Sequence, residues 1–127
     1  MSVKMKDIEQ YLSEVREAVS SGRWRIALNE RREDNLKLFV DYVIYERDAK
    51  EIILNLEAID FSEILQNEKV GFGHELLYVF GKDVTLLERY GKKEKSVSLY
   101  IKFNKLENYL IVVSFHEQER PLRYCFK

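Results

Sequence analysis

Residues 96–104 read SVSLYIKFN, and apolar and polar side chains alternate throughout. This two-residue period is typical of a β-strand with one face in the core and the other in solvent. The core face would carry Val97, Leu99, Ile101 and Phe103, and the opposite face Ser98, Tyr100, Lys102 and Asn104. The pattern predicts an antiparallel sheet that is covered on one side only.

Similar segments surround this strand, separated by short polar or glycine-containing segments. We predict strands at 76–80, 84–90, 97–103, 109–115 and 122–126, with loops at 81–83, 91–93, 104–108 and around Pro121. Such spacing is typical of an antiparallel meander. In the fourth strand, the residues expected to face the helices are Tyr109, Ile111, Val113 and Phe115, which leaves Leu110, Val112, Ser114 and His116 on the other face.

The N-terminal half has a helical period instead. Apolar residues spaced by three or four predict a helix over 4–18, ended by the Ser20-Ser21-Gly22 segment. A short strand is expected at 24–28, two helices within 37–55 with Asp48 as an N-cap, and a short helical or irregular piece at 59–65. Gly71-Phe72-Gly73 indicates a break. Helices followed by strands predict an α+β fold, with N-terminal helices packed on an antiparallel sheet and residues 1–127 as a single domain.

Composition narrows the class of protein. Hydrophobic residues make up 46% of the chain and charged residues 34%, which is ordinary for a globular protein. No apolar run approaches the ~20 residues of a membrane span, and the first ten residues carry charges where a signal peptide is apolar. A single cysteine, Cys125, excludes an internal disulfide. We therefore expect a cytoplasmic protein that binds no membrane.

Charge is unevenly distributed along the chain. The net charge of −1 argues against a nucleic-acid binder. However, residues 1–64 contain 10 basic and 14 acidic residues, whereas residues 65–127 contain 11 and 8. The local electrostatic field matters more than the net charge of the chain for capturing phosphate. The basic second half is therefore compatible with an RNA ligand.

The polar face of the predicted sheet carries the candidate chemistry. Strand pairing would bring Tyr100, Lys102, Ser114 and His116 within about 5–8 Å of one another. An imidazole can exchange protons near neutral pH, an ammonium can stabilise phosphoryl charge, and a phenol can bind a base or phosphate. This set predicts phosphodiester cleavage with no metal or other cofactor. The alternative is an ordinary solvated sheet face.

Other residues are candidates for substrate contacts. Arg123 and Tyr124 follow the turn at Pro121, and Lys82 lies in the predicted 81–83 loop. Alternative phosphate-contacting sets are the hairpin lysines Lys92, Lys93 and Lys95, and the arginines Arg23, Arg25, Arg31 and Arg32, which lie among Glu30, Glu33 and Asp34. His74 and Cys125 are expected to be structural. His74 and His116 lack further obvious ligands, so no metal site is predicted.

Several segments resemble the MqsR family of toxins from bacterial toxin–antitoxin pairs. They are LLYVFG (76–81), SLYIKF (98–103), LIVVSFHE (110–117) followed by PLRYCF, and EIILNLEAIDFSEIL upstream. The resemblance covers roughly residues 50–126. It implies a RelE-like fold, a cognate antitoxin protein as partner, and an mRNA endoribonuclease. Such enzymes use the ribose 2′-hydroxyl as nucleophile and leave a 2′,3′-cyclic phosphate.

Carried over by position, the resemblance assigns Tyr100 and Lys102 to the family's tyrosine–apolar–lysine strand. His116 stands where the best-known member has a lysine, and Glu63 and Tyr78 stand near a lysine and a glutamine of the family. We therefore expect an mRNA-cleaving toxin with His116, Lys102 and Tyr100 as catalytic residues. The rival hypothesis is a catalytically silent module of the same fold that acts by binding a protein partner.

Overall fold

The computed structural model describes residues 2–28 and 32–127. In chain order the elements are α1 (Met5–Ser20), β1 (Trp24–Ile26), α2 (Glu33–Asp41), α3 (Glu46–Leu54), a 3₁₀ turn (Ala58–Asp60), β2 (Phe61–Gln66), β3 (Leu76–Leu87), β4 (Glu94–Lys105) and β5 (Leu110–Glu117). The predicted α+β class, with N-terminal helices packed on a mainly antiparallel sheet, is confirmed. No helix in this described part of the chain is long and apolar enough to cross a membrane.

The strands form one sheet in the order β1-β5-β4-β3-β2. Strands β2 to β5 make the predicted antiparallel meander. The short strand β1 pairs in parallel with the first half of β5, so that Trp24 lies opposite Leu110 and Ile26 opposite Val112. One edge of the sheet is therefore β1, and the other edge is β2.

The helices cover one face of the sheet, which we call the helix face. Helix α1 buries the predicted stripe of Ile8, Leu12, Val15 and Val19, while Met5 at its start is 41% exposed. Four phenylalanines from four strands fill the core beneath it: Phe61, Phe80, Phe103 and Phe115. The opposite face, which carries Tyr100, is called the open face.

Two of the predicted strands are one strand. Residues 76–80 and 84–87 belong to β3, and Gly81 pairs with Tyr100 of β4 instead of starting a turn. A Cβ atom on Gly81 would lie 2.2 Å from the Tyr124 hydroxyl. Glycine is needed at this position because another side chain approaches the backbone closely. The prediction of a loop at 81–83 is wrong for that reason.

The helical or irregular piece predicted at 59–65 is mostly strand β2. The pairing of β2 with β3 shifts between Phe61 and Glu63, which leaves Ser62 as a bulge. Because a bulge adds one residue, Phe61 and Ile64 both point to the helix face although they are three residues apart. That spacing imitates a helix in the sequence.

A second bulge changes the faces of β5. The register with β4 shifts between Lys102 and Phe103, and Val113 is the extra residue. Leu110 and Val112 are therefore fully buried on the helix face, so the prediction that Tyr109, Ile111 and Val113 face the helices is wrong. Beyond the bulge the prediction is right, because Phe115 is buried in the core while Ser114 pairs with Lys102 on the open face.

The C-terminal end and one helix start also differ from expectation. Residues 122–126 form turns and irregular structure and not a strand. Residues 118–127, which we call the tail, cross the open face. In α3, Asp48 lies in the first turn and accepts a hydrogen bond from the Tyr45 backbone N–H at 2.8 Å, so Tyr45, and not Asp48, is the N-cap.

Candidate functional site

The open face brings together the four residues that alternation predicted there. Tyr100 of β4 lies directly opposite His116 of β5, and Lys102 lies opposite Ser114. The Tyr100 and His116 rings are stacked, with centroids 5.2 Å apart and planes 10° from parallel. Lys102 Nζ lies 5.9 Å from the Tyr100 ring centroid. An imidazole, an ammonium and a phenol therefore share one patch.

Asn35 of helix α2 holds the part of β5 that carries Ser114 and His116. It is 1% exposed, and its amide nitrogen donates to the carbonyl oxygens of Ala27 at 2.7 Å and Val113 at 3.0 Å. Its amide oxygen accepts from the Phe115 backbone N–H at 2.8 Å. Strand β1 has ended at this point, so one side chain supplies the hydrogen bonds that a neighbouring strand would supply.

The tail forms one wall of the patch. Gln118 Nε2 donates to the Leu99 carbonyl oxygen at 3.0 Å. The Ser62 hydroxyl donates to the Arg123 carbonyl oxygen at 2.6 Å, and the Cys125 backbone N–H donates to the Phe61 carbonyl oxygen at 3.0 Å. These bonds anchor the tail to β4 and to the start of β2.

A cavity of about 700 Å³ lies between the tail and the sheet. It is lined by Arg32, Ser62, Glu63, Tyr100, Lys102, Ser114, His116, Glu119, Arg120, Pro121, Leu122 and Arg123. Four of these side chains are cations and two are carboxylates, so the lining is net positive although the whole chain is slightly negative. A concave site with clustered positive charge attracts anions such as phosphate.

Burial and neighbouring charges alter two of the ionisable groups in the cavity. The pKa of Lys102 is lowered by burial and, to a smaller extent, by the positive charge of Arg32, while Glu68 opposes this. The pKa of Tyr100 is raised by burial and then by the negative charge of Glu63. Tyr100 is therefore a neutral hydrogen-bond donor at physiological pH.

The hydrogen bonding of His116 fixes which ring nitrogen exchanges a proton. Nδ1 lies 2.8 Å from the carbonyl oxygen of Glu117. A carbonyl oxygen only accepts hydrogen bonds, so this contact requires the proton on Nδ1. Nε2 is then the atom that gains and loses a proton, and it is the nitrogen available for chemistry.

The other predicted contact residues divide into two groups. Arg123 lines the cavity. Tyr124 packs against Gly81 instead, and Lys127 Nζ lies 4.4 Å above its ring. Lys82 points to the helix face, where its Nζ lies 3.1 Å from the buried carboxylate of Asp60. Neither Tyr124 nor Lys82 lines this cavity, so their assignment as substrate contacts is not supported by their position.

The structure adds cavity residues that sequence patterns did not single out. Arg120 and Glu119 enter from the tail, whose path depends on contacts that are remote in sequence. Arg32 also lines the cavity and belongs to the alternative arginine set. Arg23 of that set donates to Ser21 and to the Asn108 carbonyl oxygen instead, and Arg31 lies outside the described residues.

Within 2–28 and 32–127, no three His, Cys, Asp or Glu side chains are grouped so as to hold a metal ion.

No protein-family model matches this chain, and no curated protein or solved structure matches it either. The resemblance to the MqsR family therefore stays a prediction that rests on the quoted motifs.

Proposed function

We propose that this protein is a metal-independent endoribonuclease that acts as the toxin of a toxin–antitoxin pair. The observation that carries the proposal is the cavity on the open face. It combines a proton-exchanging group, His116, with a partly buried ammonium, Lys102, and a neutral phenol, Tyr100. The residues that line the cavity carry a net positive charge.

The groups match the needs of RNA cleavage by the 2′-hydroxyl. Charge that develops on the phosphoryl oxygens needs a nearby cation, and Lys102 supplies one. The partial burial of Lys102 strengthens that interaction, because water screens it less. His116 Nε2 serves as general acid or base. Tyr100 and Arg123 position the nucleotide by hydrogen bonds to phosphate or sugar.

The stack with His116 narrows the role of Tyr100. One face of the Tyr100 ring is covered by the imidazole at 5.2 Å between centroids. A nucleobase therefore cannot stack on that face. The phenol hydroxyl is the part of Tyr100 that we assign to substrate binding.

The toxin part of the proposal rests on the resemblance to the MqsR family. That resemblance implies mRNA as substrate, a cytoplasmic location and neutralisation by an antitoxin protein. Expression of the chain alone should arrest bacterial growth, and a His116→Ala variant expressed to the same level should not. Unimpaired growth during expression of soluble wild-type protein would contradict the toxin assignment.

The nuclease itself is tested by incubating purified protein with a long mRNA in EDTA and mapping the ends. We expect 2′,3′-cyclic phosphate ends, and loss of cleavage in both His116→Ala and Lys102→Ala. Matched controls are His74→Ala and Lys92→Ala, which remove exposed residues of the same types that do not line the cavity. Full activity in the His116→Ala and Lys102→Ala variants would discard these assignments.

The alternative function, a silent binding module, is favoured by one feature of the sheet. Strand β2 forms an edge, and in the described part of the chain only Phe61 at its start accepts a backbone hydrogen bond from the tail. An unpaired edge can accept an extended peptide as an additional strand. Under this hypothesis the protein binds its partner but leaves RNA intact.

A further inference from the structure

We propose that Glu63 is the general base of the cleavage reaction and that His116 is the general acid. This assignment rests on the proposed ribonuclease function and deepens it. Glu63 stands near the position where the resembled family has a lysine, so the sequence alone suggests a lost function there. The structure places its carboxylate in the cavity with His116 and Lys102.

Cleavage by the 2′-hydroxyl requires two proton transfers on opposite sides of the phosphorus. The attacking oxygen must lose a proton, and the leaving 5′-oxygen must gain one. A carboxylate is ionised at neutral pH and can take the first proton, while an imidazolium can give the second. One histidine cannot be protonated and deprotonated in the same step, so His116 needs a partner.

The sheet sets Glu63 and His116 on opposite sides of Lys102. Pairing runs in a continuous row from Glu63 on β2, through Val79 and Lys102, to Ser114 on β5. Strands are spaced by about 4.8 Å, so the two ends of that row are about 14 Å apart at the Cα atoms. His116 is two residues further along β5. Glu63 and His116 therefore line the cavity from strands on opposite sides of β4, with Lys102 of β4 between them.

The remaining groups in the cavity are poorer candidates for the base. Burial and Glu63 raise the pKa of Tyr100, so its phenol stays protonated. Glu119 is the second carboxylate, but it lies on the tail beside His116, and both residues also line a smaller neighbouring cavity. A base next to the acid cannot act on the opposite side of the phosphorus.

The resulting step is balanced in protons and bonds. The Glu63 carboxylate accepts the 2′-hydroxyl proton as the 2′-oxygen bonds to phosphorus. The bond from phosphorus to the 5′-oxygen breaks, and His116 Nε2 gives its proton to that oxygen. The products are a 2′,3′-cyclic phosphate and a 5′-hydroxyl, with Glu63 protonated and His116 neutral. Proton exchange with water then restores both groups.

Several charged groups surround Glu63 and His116. Glu63 shares the cavity with Arg32, which directly precedes α2, with Lys102 and Tyr100 from β4, and with Arg120 and Arg123 from the tail. His116 also borders the neighbouring cavity lined by Asp34, Lys37 and Asp41 of α2, and by Glu117 and Glu119.

The test uses an RNA oligonucleotide that contains one cleavage site mapped with the wild-type protein. We expect Glu63→Gln to lower kcat by a factor on the order of 10²–10⁴. Its affinity for the same oligonucleotide with a 2′-deoxy sugar at the attacking position should be unchanged or higher, because a negative charge is removed. Glu68→Gln is the matched control, since its charge also reaches Lys102 but it does not line the cavity.

The pH dependence of kcat/KM provides the second measurement. Wild-type activity should rise as Glu63 ionises and fall as His116 loses its proton, which gives a bell. Glu63→Gln should retain weak activity that lacks the rise. Cleavage by Glu63→Gln at or above the wild-type rate, with the acidic limb intact, would overturn the assignment while leaving the ribonuclease in place. A wild-type protein that cleaves no RNA would remove both.

Discussion

The helix face and the open face of the sheet are built on different principles, although adjacent residues of the same strand form them. On β4, Phe103 is fully buried on the helix face, while Lys102 beside it lines the cavity on the open face. The helix face consists of apolar side chains whose shape and volume hold the fold together. The open face carries the cavity, whose charged and polar groups would perform the chemistry of the proposed function. The two faces should therefore respond oppositely to mutation.

The largest effect on stability is expected from Phe103→Ala. Phe103 is 0% exposed, and its ring centroid lies 5.6 Å from that of Phe80. Truncating such a residue leaves a cavity and costs about 3–5 kcal/mol. That is a large part of the ~5–15 kcal/mol that stabilises a typical domain. Urea unfolding monitored by circular dichroism measures the loss.

Lys102→Ala is the matched variant on the other face. It removes a partly desolvated cation and should change the free energy of unfolding by only about 0.5 kcal/mol in either direction. We expect it to abolish RNA cleavage instead. Equal destabilisation by Phe103→Ala and Lys102→Ala would show that the open face is a second structural core. The proposed difference between the two faces would then be wrong.

A smaller loss of stability is expected from Asn35→Ala. Asn35 lies on α2 and holds the part of β5 that carries Ser114 and His116. The substitution leaves the Phe115 N–H and two carbonyl oxygens without the partners they have in the structure. A buried polar group without a partner costs about 1–3 kcal/mol. We expect a cost in that range by urea unfolding, together with altered nuclear magnetic resonance shifts of the His116 ring.

Asn55→Ala is a suitable control for Asn35→Ala. Asn55 is an exposed amide that makes one side-chain hydrogen bond, to the Glu51 carbonyl oxygen. Its removal should cost clearly less and leave His116 unchanged. A loss of stability as small as that of Asn55→Ala would contradict this account of Asn35. It would show that the bulge of β5 does not depend on the Asn35 hydrogen bonds.

The two bulges explain much of what the sequence could and could not predict. Simple alternation along β4 assigned Val97 and Phe103 to the core and Tyr100 and Lys102 to the open face, as observed. Strands β2 and β5 each contain an extra residue, so a fixed period fails partway along both. A bulge depends on the pairing of two strands and is not visible in either strand alone.

The path of the tail was unpredictable for a related reason. Its position depends on contacts between residues far apart in sequence, such as Ser62 with Arg123 and Gly81 with Tyr124. Alternation placed Tyr100 and His116 correctly, because strand pairing is regular there. Arg120 enters the cavity from irregular backbone, which has no periodic signal.

A narrower effect is expected from Gly81→Ala, which tests how the tail is seated on the open face. The added methyl group would lie 2.2 Å from the Tyr124 hydroxyl and 2.9 Å from Gln118 Nε2. The side chains of Tyr124, Gln118 and Leu122 must move, and we expect the tail to shift with them and to displace Arg120 and Arg123 from the cavity. We expect a higher KM for RNA with a smaller change in kcat, since the chemical groups stay on β2, β4 and β5.

A second substitution should partly rescue RNA binding by Gly81→Ala. Tyr124→Phe removes the oxygen atom nearest to the new methyl group, so the double variant should recover part of the affinity. A spin label on Cys125, the single cysteine of the chain, reports tail mobility directly. Unchanged label mobility in Gly81→Ala would contradict this account of the tail.

The smallest expected effect concerns the pKa of Lys102. Burial lowers this pKa, and the neighbouring positive charge of Arg32 lowers it further. Arg32→Gln removes the second cause only, so the pKa should move up towards its usual value without reaching it. Titration of the Lys102 Cε carbon-13 shift measures the change, and Arg23→Gln, remote from the cavity, should produce none. A downward or absent shift in Arg32→Gln would mean that the charge of Arg32 does not act on Lys102. In that case burial alone would explain the lowered pKa of Lys102. The difference between the two faces would then not involve an interaction between neighbouring cations.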